Sequence, residues 1–536
     1  MGSAGLHYVA EPGVPGTVRG LLDARAEATP DAPFLSFEDH RLTYGEIVAR
    51  AERVAAGLAA MGVEEGTKVA VLLPNSVEIL ETWFACSVMG AVLVPVNTGL
   101  KGDGLKYILE HSEASLLVVD SELLETLEGS YPVADGLSHR FVRGAAATIP
   151  SGYEPYASLV EAGAGAAVPR AELGPDSLAS ILYTSGTTGL PKGVMNCHNS
   201  YLVAALEFSR NYVRMREDDV LYTSLPLFHV NAQSLTTLGA VVSGRPMVLS
   251  PRFSASRFFA ELAEHEATVF NYIGAMLTML YKQPEGPHDA ENRVRLTVGG
   301  AAPAELWRDF ERRFGLEVLE IYGLTESATF CCASPPDDIR PGKIGKPVGW
   351  AEVKIVGEDD EELPADEPGE IVVRSKAPDT IFQGYYKRED ATAEAMKGGW
   401  FHTGDRGSRD ADGYFDFIDR LKDSIRRRGE NISSYEVERV VNSHPEVAES
   451  AAYGVPSDLG EDEVMVTVIP RGDGVDCEDL IAFCEQRMAK FMVPRFVRVS
   501  AALPKTATQR VQKFELRKLG TEGAWDRLDS AAQIKR

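Results

Sequence analysis

Apolar positions recur along the first hundred residues in two alternating rhythms. In TYGEIVARAERVAAGLAAMGV (43–63) Ile47, Val54, Leu58 and Met61 fall at helical spacing. KVAVLLP (68–74) is a short apolar run with strand character, VEILETWFACSVMG (77–90) reads as a second helix, and AVLVPVN (91–97) as another buried strand. Strands that are apolar throughout and alternate with helices imply a parallel α/β sheet covered on both faces. ASLLVVDS (114–121), DVLYTSLPL (219–227) and RPMVLS (245–250) continue the pattern, whereas 145–175 turns Ala/Gly/Pro-rich and predicts a surface connection.

The rhythm breaks at the acidic, turn-rich GEDDEELPADEPGE (357–370), which the strand-like IVVRS follows. Beyond it a separate small α/β unit is expected. Its helices lie in YEVERVVNSHP and CEDLIAFCEQRMAKF, and its strands in VAESAAYGV and EVMVTVIP. The fold class is therefore α/β, with a large N-terminal domain (1–421) and a small C-terminal domain (422–536) that meet at Lys422. A site between the two is a natural expectation.

Composition narrows the function. The 536 residues carry 54 Lys plus Arg against 79 Asp plus Glu, a net charge of −25, which excludes a non-specific nucleic-acid binder. No run approaches the roughly 20 apolar residues a membrane span needs, and the amino terminus has no basic region followed by an apolar core. The six cysteines show neither metal spacing nor a disulfide framework, so a cytoplasmic location is expected.

LYTSGTTGLPKGV (182–194) carries the most chemistry. An apolar strand leads into Thr184, Ser185, Gly186, Thr187, Thr188 and Gly189, and then Pro191-Lys192-Gly193. Glycines let backbone N–H groups approach an anion closely, hydroxyls add donors, and Lys192 adds charge. This is not the spacing of a Walker loop, which needs Gly-Lys-Ser/Thr after its second glycine.

The stretch closely resembles the phosphate-binding signature of the AMP-forming acyl- and aryl-CoA synthetases, the adenylate-forming superfamily. Further segments match in order: LPLFHVNA (225–232), GGAAP (299–303), YGLTES (322–327), WFHTGD (400–405) and DRLKDSIRRRGENIS (419–433). The resemblance implies stacked sheets in the large domain and a mobile small domain. It places Gly300, Ala301 and Ala302 beside the adenine, with Tyr322 and Gly323 flanking it. It puts Thr325 on phosphate, Mg²⁺ on Glu326, and Asp405 with Arg420 on the ribose hydroxyls. The acyl pocket would draw on His229, Asn231, Gln233, Tyr272, Gly274, Gly299 and Ala328, whose small members suggest room for a bulky, ring-containing acid.

The resemblance also implies a second half-reaction. After the acyl-adenylate forms, the small domain swings about Lys422 and brings Gly429 of GENIS to the thiol arm of CoA. Arg426, Arg427 and Arg428 concentrate positive charge beside the expected CoA entrance, and Arg426 and Arg428 are expected to bind its phosphates. A carrier-protein thiol stays open as an alternative acceptor.

One position departs from the family. In PKTATQRVQKFELRK (504–518) the Gly-Lys pair expected of the tail motif is Gln509-Arg510. That lysine bridges carboxylate and α-phosphate during adenylation. An arginine keeps the charge, but its planar fork acts less well as a point charge between two oxygens. The expectation is a CoA ligase whose adenylating half is impaired and whose acyl-AMP comes from a separate adenylating enzyme. The alternative is an ordinary two-step, ATP-dependent synthetase that tolerates Arg510. The intact ATP-side motifs argue against a third reading, a non-catalytic binder. Lys505 and Lys513 are the nearby cations that could substitute, at the cost of register.

Overall fold

The computed structural model describes residues 16–131, 136–144, 149–184, 191–420, 425–427, 430–432, 434–456, 462–488, 492–505 and 511–528, with the backbone alone at 275, 420, 426, 430, 431 and 436. Within these the helical and strand rhythms resolve into two large sheets. One has seven strands, in the order 154–155, 139–143, 116–120, 68–72, 92–95, 178–184 and 192–197. It is parallel except where Leu178–Thr184 and Lys192–Cys197 run antiparallel. The other has nine strands, and Leu221–Thr223, Val269–Ile273, Leu296–Gly300 and Glu317–Tyr322 form its parallel centre.

Local sequence explains the helices between them. Tyr44–Ala60 starts at a capping box, in which Thr43 accepts from the Glu46 N–H and Glu46 accepts from the Thr43 N–H. Val77–Met89 is capped by Ser76, and Gly90 ends it in the left-handed region at φ 76°. Nearly all of this second helix is buried, because it lies in the shared apolar core with side chains of both sheets, such as Val69, Leu93, Val269 and Leu296. A helix apolar all round belongs in such an interior. The outer face of the seven-stranded sheet is covered by Gly102–Ser112 and Leu124–Ser130.

Two features depart from the sequence reading. A third sheet, antiparallel, joins Ala351–Val356, Gly369–Ser375, Trp400–Arg409 and Phe415–Arg420. Trp400–Arg409 buries alternate residues, the mark of an antiparallel strand with one covered face. The connection expected over 145–175 carries the short strand Glu154–Pro155, which pairs with His139–Arg143, and the helix Tyr156–Ala162, both too short for periodicity to reveal.

The small C-terminal domain is built on a four-stranded sheet with a separate apolar cluster on each face. Cys477–Glu485 is its second helix, capped by Asp476 and shorter than the apolar pattern suggests. The boundary expected at Lys422 lies outside the described residues.

Candidate active site

The site gathers at the carboxyl ends of the central parallel strands, where ligands of open α/β sheets bind. Leu296–Gly300 and Glu317–Tyr322 run side by side and deliver Gly300–Ala302 and Tyr322–Gly323 to the same edge. Gly323 admits no side chain, since a Cβ there would meet the Phe330 Cα at 2.3 Å. Ala301, Ala328 and Thr329 all hold positive φ (66°, 50° and 77°), a concentration of backbone strain of the kind found at ligand clamps.

Tyr322 comes from the nine-stranded sheet and Asp405 from the antiparallel one. The Tyr322 hydroxyl donates to Asp405 Oδ2 at 2.8 Å, with Asp405 only 2% exposed. Burial next to that carboxylate pushes the Tyr322 phenol well above its ordinary range. Across the sheet Asp405 pairs in register with Arg420, so the two expected ribose residues are backbone neighbours.

Glu326 sits in the short 3₁₀ turn Thr325–Ser327, whose Thr325 is half-buried. One of its carboxylate oxygens accepts from the Tyr385 hydroxyl at 2.9 Å, and its carbonyl accepts from the Phe382 N–H. Among the described residues no cluster of three or more His, Cys, Asp or Glu could cage a metal. Mg²⁺ is commonly held by one or two carboxylates with substrate phosphates and waters, so a single buried carboxylate fits it. Thr184 and Lys192 pair across the two antiparallel strands that flank the phosphate loop, and Lys192 rests 4.6 Å above the Tyr385 ring. Ser185, Gly186, Thr187, Thr188 and Gly189 lie outside the described residues.

Two residues missed by sequence reasoning hold this edge together. Tyr385 is one. The other is Glu320, 4% exposed, which accepts from the Ala301 N–H at 2.5 Å, the Ala302 N–H at 3.1 Å and the Tyr272 hydroxyl at 2.7 Å. Burial raises its pKa to about 7 despite those three donors.

The expected acyl-pocket residues divide. Burial holds His229 neutral, with its pKa lowered to about 4 and its Nε2 without a partner among the described residues. Asn231 accepts from Asn271 at 2.5 Å, and Asn271 keeps a buried, unpartnered Oδ1. Gln233 instead spends both ends of its amide inside the core, on Tyr201 and the Leu227 carbonyl. Tyr272 is fully buried, with its hydroxyl on Glu320. Nor do Gly274 and Gly299 signal an open pocket. A Cβ at Gly274 would lie 1.9 Å from the Ala301 carbonyl oxygen, and one at Gly299 would lie 2.1 Å from that of Tyr272. Protein backbone fills the space their smallness provides. Ala328 is buried.

Around the junction, Asp419 accepts from both the N–H and the hydroxyl of Ser434, at 2.6 and 2.8 Å. Arg439 pairs with Glu305 at 2.7 Å. Arg427 is buried and paired with Glu463, so it is spoken for within the small domain. Arg426 stands opposite Asn431 in the backbone register of two short strands, while Arg428 and Gly429 fall outside the described residues. So does Arg510. Both candidate substitutes for the tail lysine are engaged: Lys505 with Glu449 at 2.7 Å, and Lys513 with Glu438 at 2.9 Å.

Comparison with known proteins agrees with this geometry. Residues 22–386 match the AMP-binding enzyme family and 436–510 the AMP-binding enzyme C-terminal domain. A crotonobetaine/carnitine–CoA ligase of Citrobacter koseri is 32% identical over 510 residues, spanning 93% of this chain and 98% of the relative. A sulfoacetate–CoA ligase of Cupriavidus necator is 34% identical, spanning 94% and 98%. Among solved structures, an anthranilate CoA ligase in complex with anthranoyl-AMP is similar with TM-score 0.86 at 27% identity, covering 94% of this chain and 98% of that one. An o-succinylbenzoate CoA synthetase of Bacillus subtilis, with ATP and magnesium ion, has TM-score 0.80 at 29% identity, covering 92% and 98%. With matches along nearly its whole length, and with the motif residues Tyr322, Asp405, Glu326 and Lys192 brought together from three sheets and an adjoining turn, this chain belongs to the AMP-binding enzyme family.

Proposed function

We propose that the protein is an acyl-CoA ligase working through an acyl-adenylate. In the first step a carboxylate oxygen of the acid attacks the α-phosphorus of ATP and pyrophosphate leaves. In the second the CoA thiol, losing its proton, attacks the acyl carbonyl and AMP leaves. Asp405 and Tyr322 would hold ribose and adenine, Lys192 and Thr184 would meet the phosphates, and Glu326 would hold Mg²⁺. Mg²⁺ bound there supplies neutralisation of the charge that builds on the phosphates. The observation that carries this reading is the buried hydrogen bond from Tyr322 to Asp405, which joins two motif residues 83 positions apart.

His229, Asn231 and Asn271 offer an acyl group neutral polar contacts. The relatives named for carnitine, sulfoacetate and anthranilate define the acid classes to try. The cytoplasmic location expected from the sequence belongs to this proposal; among the described residues no helix is long and apolar enough to cross a membrane. A swing of the small domain about Lys422 would let Gly429 and the neighbouring arginines serve CoA in the second step.

A second reading rests on position 510. Losing a charge contact of the transition state costs about 10²–10³ in rate, and with Lys505 and Lys513 engaged Arg510 is the tail cation in register to supply it. An impaired first step would make the protein a thioester-former fed with acyl-AMP by another enzyme. Acid-dependent ATP–pyrophosphate exchange over a carboxylic-acid panel, on the native chain and Arg510→Lys, separates the two. Exchange by the native chain supports the two-step ligase, with the lysine variant faster. Exchange by the lysine variant alone supports the partner-fed one. Neither protein exchanging, together with no thioester formed from supplied acyl-AMP and CoA, overturns both.

A further inference from the structure

Between Lys192 and Glu326 lies a side chain that no family motif above includes. Tyr385 is 6% exposed, its ring under the Lys192 ammonium and its hydroxyl on Glu326. Its backbone is fixed on both sides. The Tyr386 N–H donates to the Gly193 carbonyl, the Gly384 carbonyl accepts from Met195, and the Phe382 N–H donates to the Glu326 carbonyl. The segment 382–386 thereby ties the strand leaving the phosphate loop to the turn that carries Glu326.

We infer that Tyr385 is a positioning residue that holds the phosphate-directed cation and the metal-directed carboxylate apart on one ring. Unlike charges set free this close together would pair, and each would then be neutralised for the ligand. A ring face attracts an ammonium without occupying its three N–H donors along a fixed direction, so Lys192 stays able to meet phosphate. The phenolic hydrogen bond fixes one oxygen of the Glu326 carboxylate and with it the orientation of the group. The inference rests on the proposed ATP-dependent reading.

The test is ATP binding by calorimetry across a Mg²⁺ series, with pyrophosphate exchange alongside, on the full chain. Tyr385→Phe keeps the ring and loses the hydroxyl. It should raise the Mg²⁺ concentration for half-maximal ATP binding about fivefold or more, while metal-free ATP affinity stays within about twofold. Tyr385→Leu should weaken both. In the double variant Tyr385→Phe/Glu326→Gln the two Mg²⁺ effects should fall short of additive, since each acts through the same carboxylate. Unchanged Mg²⁺ dependence in Tyr385→Phe, or full additivity in the double variant, overturns the inference while leaving the ligase reading intact. A native chain whose ATP binding ignores Mg²⁺ overturns the metal part of the ligase reading and this inference together.

Discussion

Lys513 sets its ammonium 2.9 Å from the Glu438 carboxylate and donates to the Ser434 hydroxyl, which itself donates to Asp419. The pair is largely buried, at 13% and 18% exposure, so it belongs to the framework of the small domain and not to the reaction. Removing one partner of a buried pair strands the other charge, at a cost of about 3 kcal/mol. Lys513→Met should therefore lower the melting temperature clearly. Lys505, more open to water with its partner Glu449, should be worth about 1 kcal/mol at most. Lys505→Ala should melt close to the native chain and keep its pyrophosphate exchange. An exchange rate that collapses in Lys505→Ala would identify it as the substitute cation and remove Arg510 from that role.

The Tyr322–Asp405 contact predicts a binding defect. Tyr322→Phe keeps the ring against the adenine side and deletes one donor to a buried carboxylate, at 2.8 Å in the native chain. A hydrogen bond to a charged group contributes about 1.5–3 kcal/mol, so AMP and ATP affinity should fall about tenfold or more by calorimetry. Affinity within twofold of native would mean that the bond only braces the two sheets.

Much of this was legible in the chain, and the boundary between legible and hidden is physical. The Thr43–Glu46 capping box and the Ser76 and Gly90 caps are local chemistry, so the helices they bound follow from a few neighbouring residues. Tyr322, Glu326 and Asp405 stood out through ordered motifs, and the fold puts Tyr322 and Asp405 in contact. Tyr385 and Glu320 did not stand out. A tyrosine in FQGYYK and a glutamate in a buried strand carry no local signal, and their roles appear only when distant strands converge. The small residues misled for the same reason. From sequence, Gly274 and Gly299 suggest a roomy pocket, whereas in the fold they admit neighbouring backbone.

That packing makes Gly274→Ala a sharp probe. The added methyl would sit 1.9 Å from the Ala301 carbonyl oxygen, a backbone atom that cannot swing aside. Ala301 is already at φ 66° and anchored to Glu320. Overpacking of this kind costs about 1–3 kcal/mol. The variant should melt lower and bind adenine nucleotides more weakly, because the turn must move as a unit. Tighter packing against a bulky acyl group with unchanged nucleotide binding would instead place Gly274 in the acyl pocket.

Glu320 gives the fold a pH dependence of definite sign. Burial raises its pKa from 4.5 to about 7 in the folded chain. Below pH 4.5 both states carry the proton and the group contributes no difference. Between 4.5 and 7 the unfolded chain ionises freely while the folded chain keeps its proton, so stability falls as pH rises. Above 7 the loss is complete, on the order of 3 kcal/mol by the size of the shift. The groups facing it are phenols, Tyr272 two strands away and Tyr435 on the small domain, both pushed upward and uncharged across this window. Glu320→Gln cannot ionise, yet its amide turns a donor toward the N–H groups of Ala301 and Ala302 and the Tyr272 hydroxyl. The variant should thus be the less stable protein at pH 5, with the gap in melting temperature narrowing toward pH 7.5. A gap constant across that range would show that the Glu320 carboxylate is already ionised in the folded chain at pH 5, held so by its three donors.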